Sequence, residues 1–318
     1  MTTTVGTDID IAAAFLRAGE LVGMPTETVY GLAASVALDE AIKKVYQTKN
    51  RPFSNPLIVH VANKSDLEWV SDKPFQLAKD LVDEFWPGPL TIILSKSDRI
   101  STYATAGSSS LAVRMPAAEM ALSLIQKVGA PLVAPSANPF TRISPTTAIQ
   151  VKDYFDGKIP YVLDGGKCSI GIESTIIKVN ENNLQILREG AITAQHLAKY
   201  PIIQNDYSVH HPGNYKKHYA PNTPLRMVRS IKEAIKKFPS ESTVLILFGK
   251  HSDFRQYKTI QLSEEKKLEE AASNLYSAMS EADSMDASVI LIESFPDQGI
   301  GKALNERLRK AAINNLYE

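Results

Sequence analysis

Two cations, Lys49 and Arg51, stand two positions apart in the run K-N-R-P-F-S-N-P-L-I-V-H, with Ser54, Asn55 and Pro56 leading into an apolar stretch that ends at His60. Charged, amide and hydroxyl groups between two apolar elements suit a bound oxyanion, a phosphate or a carboxylate. A plainer reading has the cations complement the negative end of the preceding helix. Upstream, Pro25-Thr26-Glu27-Thr28 closes the apolar run 21–24 and predicts the start of a helix, whose free N–H groups favour an anion; capping alone accounts for the same triplet. Arg114 lies in the otherwise apolar S-L-A-V-R-M-P, and a buried guanidinium needs a fixed anion or acceptors, either an internal carboxylate or a ligand. Further on, A-P-S-A-N-P carries Ser136 and Asn138, and Ser144-Pro145-Thr146-Thr147 reads as a helix start with proline in the first turn. Ser174 follows a glycine turn, and Arg188 ends a strand just before Glu189-Gly190.

The elements that must position these groups alternate along the chain. Helical spacing of apolar residues predicts helices over 9–19, 39–49, 74–85 and 118–128. Short apolar runs predict strands over 21–24, 57–61, 90–94, 110–115, 132–134, 161–163, 175–179 and 184–187. This is an α/β domain over 1–200 with a largely buried sheet. Periodicity then lapses over 201–223, a proline- and histidine-rich stretch that reads as a linker. Beyond it, helices over 231–238, 264–282 and 302–312 alternate with strands over 244–248 and 289–292, a small α/β domain of Rossmann-like type over 224–318.

Several classes are disfavoured. Equal numbers of basic and acidic residues, 35 of each, give no general affinity for polyanions. No run of about 18 apolar residues predicts a membrane span, the N-terminus lacks the regions of a secretory signal, and the one cysteine, Cys168, suits a reducing compartment; a cytoplasmic protein without a membrane role is expected. Cys168 has no base beside it and reads as a bystander. There is no G-x-x-x-x-G-K-[ST], Gly299-Ile300-Gly301 lacks the third glycine of a dinucleotide fingerprint, and His210, His211 and His218 match no zinc spacing and read as solvated linker histidines.

P-T-E-T-V-Y-G-L, K-x-R-P-x-x-N-P-L-x-V-H, A-P-S-A-N and I-S-P-T together resemble the YrdC-like family, in its long, two-domain threonylcarbamoyl-AMP synthase form, over about residues 19–198. The resemblance implies a twisted open sheet with flanking helices. It also implies condensation of L-threonine, bicarbonate or CO2 and ATP to threonylcarbamoyl-adenylate and pyrophosphate, with Mg2+ accompanying ATP and no protein-held metal. The product would serve a downstream tRNA threonylcarbamoyl transferase complex. Carried over residue by residue, Lys49 and Arg51 act on phosphate and carbamate oxygens, and Arg51, Asn55, Ser110, Ser136, Asn138, Ser144 and Arg188 face the nucleotide. Thr28, His60, Arg114, the main-chain carbonyl of Ala134, and Ser174 face threonine. In the long form a similar H-Y-A-P stretch lies over the nucleotide, which implicates Tyr219 and makes the segment 212–221 an expected lid. A competing class is a non-catalytic protein of the same fold that contacts structured RNA through Lys49, Arg51, Lys152 and Lys158; neutral net charge and the lack of an aromatic RNA-recognition motif disfavour it. An accessory carbamoyl-transfer module is a third reading, but its histidine- and cysteine-rich companion regions are missing.

Overall fold

The computed structural model describes residues 2–72, 74–203, 217–251 and 253–312. The chain divides into two compact units, one of Met1–Phe140, Pro145–Ser169 and Glu173–Asn214, the other of Thr141–Ser144, Ile170–Ile172 and Tyr215–Glu318. His210, His211 and half of the expected lid, Pro212 to Lys216, lie outside the described residues.

In the first unit the strands are β1 (Thr4–Gly6), β2 (Val22–Met24), β3 (Gly31–Ser35), β4 (Ile58–His60), β5 (Leu90–Ser95), β6 (Ser110–Arg114), β7 (Leu132–Val133), β8 (Tyr161–Leu163), β9 (Thr175–Val179) and β10 (Leu184–Arg188). They form one mixed sheet in the order β1-β8-β2-β3-β7-β4-β6-β5-β9-β10. The helices are α1 (Ile9–Arg17), α2 (Asp39–Lys49), α3 (Leu67–Val70), α4 (Gln76–Phe85), α5 (Glu119–Val128) and α6 (Ala148–Phe155). α2, α4 and α6 bury Val45, Leu81 and Phe155 in one apolar cluster, while α1 and α5 bury Leu16 and Leu124 in another. Helices packed with sheet residues into separate clusters explain why the strands read as apolar runs rather than alternating ones.

α2 shows how local sequence sets an element. Asp39 and Glu40 sit in its first turn and Lys49 in its last, matching the helix dipole, and Ala41, Ile42, Val45 and Tyr46 are buried. Asn50 stops it with φ 51°, a left-handed conformation that asparagine tolerates, and the Arg51 N–H then bonds to the Tyr46 carbonyl at 2.9 Å. The chain turns sharply there, and the stop places Lys49 and Arg51 on either side of it.

The Thr-Glu-Thr segment departs from expectation. No helix begins there: β2 and β3 pair antiparallel, and 25–30 form the connection. The Thr26 hydroxyl accepts from the Thr28 and Val29 N–H groups at 3.2 Å each and donates to the Val29 carbonyl at 2.6 Å. A threonine that satisfies backbone groups in this way serves a turn as well as a helix cap, and strand pairing decided between them. The helix expected to begin around Ser144-Pro145 starts later, at Ala148, with Thr147 as its cap and Gln150 completing a capping box.

The second unit has β11 (Leu225–Val228), β12 (Thr243–Phe248), β13 (Lys258–Ser263) and β14 (Val289–Glu293), all parallel in the order β11-β14-β12-β13. α7 (Ile231–Ala234), α8 (Leu268–Asp283) and α9 (Ile300–Ala311) accompany them. The α/β class expected from the alternation is present in both units. β13 went unrecognised in the sequence because its first two residues and Gln261 are exposed at the sheet edge. His218 corrects another expectation: it is buried, with its ring edge-on to Tyr219 at 4.1 Å, rather than a solvated linker residue.

Candidate active site

Lys49, at the end of α2, is buried, and its ammonium donates to the carbonyls of Ser136 and Asn138 in the loop after β7. Burial, aided by the nearby Arg51 charge, holds its pKa well below the usual lysine value. Arg51 donates from Nε to the Asn55 carbonyl at 3.1 Å, and from Nη2 to Asn55 Oδ1 at 2.6 Å and the Pro56 carbonyl at 2.7 Å. The Asn55 side-chain amide nitrogen is buried and meets no acceptor among the described residues. A buried unsatisfied donor beside two cations is an arrangement that an anionic oxygen would complete. The approach of the Ser136 loop depends on Gly31: a Cβ there would lie 2.9 Å from that of Ala134.

A second corner is built where β4 and β6 run parallel with His60 opposite Arg114. Arg114 is buried and donates from Nε to the Gly88 carbonyl at 3.1 Å and from Nη1 to the Thr28 hydroxyl at 2.8 Å. Its Nη2 lies 2.5 Å from Glu27 Oε1. That contact is an ion pair, and beyond it neither Glu27 oxygen has a hydrogen-bond donor among the described residues. The internal carboxylate left open by the sequence is therefore Glu27, which joins the site by turning with the Thr26–Thr28 connection. His60 is buried, and burial, then the Arg114 charge, press its pKa down to about 3, so it is neutral at ordinary pH. Its Nδ1 finds no partner among the described residues.

A third group gathers at β9 and β10. Arg188 donates from Nε and Nη2 to the Ser174 carbonyl at 3.0 and 2.9 Å, and from Nη2 to the Ser174 hydroxyl at 3.2 Å. Thr91 on β5 shares a 2.7 Å hydroxyl contact with Ser174. Gly190 permits this, since a Cβ there would meet the Glu173 carbonyl at 2.6 Å. Ala134 joins the loop after β7 to β4 through a 3.0 Å bond from its N–H to the Ile58 carbonyl.

Comparison with known proteins identifies the architecture. A family model for Sua5, YciO and YrdC, described as "Telomere recombination", matches residues 14–190, and one described as "Threonylcarbamoyl-AMP synthase, C-terminal domain" matches 180–313. The chain is 38% identical to the threonylcarbamoyl-AMP synthase of Pyrococcus abyssi, covering 96% of this chain and 94% of that one. It is 39% identical to that of Bacillus subtilis, covering 95% and 92%. The crystal structure of P. abyssi Sua5 complexed with L-threonine superposes with a TM-score of 0.88 at 36% identity, covering 98% and 97%. This chain belongs to the threonylcarbamoyl-AMP synthase family, in its two-domain form. Match over both units favours that reading over a non-catalytic RNA binder.

Of the residues that resemblance to the threonylcarbamoyl-AMP synthase family singled out, Thr28, Lys49, Arg51, Asn55, His60, Arg114, Ala134, Ser136, Asn138, Ser174 and Arg188 fall in the three groups of the first unit. Ser110 opens β6, its hydroxyl 2.8 Å from that of Ser108. Ser144 and Tyr219 fall in the second unit. There the Tyr219 ring is buried, 5.6 Å from the Tyr276 ring in a stacked arrangement and 6.0 Å from the Arg307 guanidinium. Glu27 and Thr91 are the residues that sequence reasoning did not assign. Glu27 was within reach, since the same motif places a carboxylate beside Thr28; Thr91 carries no sequence signal. Cys168 is buried, and burial pushes its thiol up to about 12, as suits a bystander. Among the described residues no helix is long and apolar enough to cross a membrane.

Proposed function

We infer that this chain makes threonylcarbamoyl-AMP from L-threonine, bicarbonate or CO2, and ATP, releasing pyrophosphate. The observation that carries the reading is end-to-end similarity to synthases of that name, one of them solved with L-threonine. The threonine amine, once neutral, attacks CO2, and the resulting carbamate oxygen attacks the α-phosphate in line, expelling pyrophosphate. No side-chain nucleophile is needed, so the protein's task is to position and to neutralise charge.

In this reading Lys49 and Arg51 take the phosphate and carbamate oxygens, with the Asn55 amide as a third donor. Ser110, Ser136, Asn138 and Arg188 attend the nucleotide. The Arg114 guanidinium takes the threonine carboxylate, while Thr28, neutral His60, the Ala134 carbonyl and Ser174 read the rest of the amino acid. Magnesium enters with the triphosphate, as part of the substrate. The mixed anhydride is then consumed by a transferase that moves the threonylcarbamoyl group onto tRNA.

The test is pyrophosphate release with mass-spectrometric detection of the adenylate, leaving out each substrate in turn. Release that requires all three together is expected. ATP turnover indifferent to threonine would overturn the assignment.

A further inference from the structure

We propose that Glu27 is the base of this reaction: its carboxylate receives the ammonium of the bound amino acid and takes the proton that must leave before nitrogen can attack. The proposal rests on the reading above that Arg114 holds the substrate carboxylate. Three features of the structure support it.

First, the Glu27 side chain is only 9% exposed, yet beyond the Arg114 ion pair neither oxygen has a hydrogen-bond donor among the described residues. A carboxylate kept for structure would normally collect such donors. Second, the Arg114–Glu27 pair presents a positive and a negative group 2.5 Å apart. An amino-acid zwitterion presents the opposite pair, carboxylate and ammonium, at similar separation, so one residue answers each end. Third, Glu27 lines a cavity of about 400 Å³ with Thr26, Met120, Lys167, Cys168 and Ser169.

The other ionisable groups around it are less suited to the role. Arg114 is a permanent cation. Lys167 and Glu119, from the neighbouring loop and the start of α5, line the same cavity but are exposed to solvent. Cys168, lining the same cavity, holds its proton up to about 12, and His60, opposite Arg114 in the pairing of β4 with β6, binds one only near 3. Glu27 alone among them joins burial, negative charge and contact with the cation.

The protons balance without any further reagent. The ammonium N–H bond breaks, leaving its electron pair on nitrogen and the proton on Glu27, which passes it to bicarbonate; bicarbonate loses water to give CO2. The nitrogen lone pair forms the C–N bond as one C=O pair moves to oxygen, and the regenerated carboxylate takes the second N–H proton, later lost to solvent. One ammonium and one bicarbonate thus yield one carbamate, one water and one proton.

Glu27→Gln keeps size and polarity but cannot accept a proton. Adenylate synthesis at saturating threonine, measured from about pH 6.5 to about pH 9, should fall about a hundredfold or more at the acid end. The deficit should shrink at the alkaline end, where solution itself frees the amine, while wild type stays nearly level. Glu27→Asp, which retains a carboxylate, should be slower with a level profile. A Gln variant whose profile runs parallel to wild type, whatever its rate, overturns the proposal and leaves Glu27 a structural partner of Arg114. If the Gln variant does not fold, a steep profile for the Asp variant overturns it and a level one upholds it. Calorimetric threonine binding to Arg114→Ala separates the underlying reading: undiminished affinity there removes threonine from Arg114, irrespective of either profile.

Discussion

The two buried cationic corners of the first unit are made differently. Around Lys49 and Arg51, the donors described reach amide oxygens: the carbonyls of Ser136, Asn138, Asn55 and Pro56 and the Asn55 side chain. Around Arg114, two donors reach neutral oxygens and the third faces the Glu27 carboxylate. Amide oxygens hold a cation in place without cancelling its charge, which leaves it available to a polyanion. A carboxylate cancels it, and the resulting dipole suits a ligand carrying both signs. The contrast matches the division of labour between a triphosphate and an amino acid, and substitution can test each side of it.

Arg114→Ala should have the largest effect, because it leaves Glu27 buried without its counter-ion. Breaking such a pair typically costs about 3–5 kcal/mol, visible as an early urea midpoint, together with loss of threonine binding. Adding Glu27→Gln to Arg114→Ala should recover part of the stability but none of the affinity. A double variant no more stable than the single would show that the pair is not the source of the loss.

Lys49→Met and Arg51→Ala should each reduce synthesis by about a hundredfold or more, the usual consequence of removing a charge aimed at a transition state. Because Lys49 is buried, methionine is chosen to hold its volume, and circular dichroism checks the fold. Threonine affinity should change far less than turnover. A variant defective in threonine binding but normal in turnover at saturation would reverse the assignment of the two corners.

Substrate discrimination is expected to be smaller. Serine, lacking only the methyl, should lose about 1–3 kcal/mol of apparent specificity. Valine leaves a buried polar group without its hydroxyl partner and should be rejected more strongly. Competition that ranks valine above serine would show a pocket that reads shape alone.

A separate effect is in stability against pH. His60 has a native pKa of about 3 against an ordinary value of 6.5, so between the two the unfolded chain binds a proton that the native chain does not. Acid therefore favours unfolding. The stabilisation is complete above the ordinary value and is lost as pH falls towards about 3, with a slope of at most about 1.4 kcal/mol per pH unit. His60→Gln should remove that slope, read as the difference from wild type so that other titrating groups cancel. Parallel stability curves would mean that His60 is protonated more readily than its burial implies.

What the sequence determined by itself was whatever short-range rules control. The run Asp39–Lys49 is a helix because its apolar spacing, terminal charges and Asn50 stop all agree within a dozen residues, and that agreement places Lys49 and Arg51. The dense order of motifs was equally legible, and with it the family and the residues gathered into the first unit. Tertiary structure decided the rest. Thr26-Glu27-Thr28 satisfies a helix start and a turn equally well, and only the pairing of β2 with β3 selects the turn. The partner of Arg114 lies 87 positions away at Glu27, and Thr91 meets Ser174 across 83 positions. Contacts of that kind arise from strand order, to which residues far apart in the chain contribute together, so no local pattern encodes them.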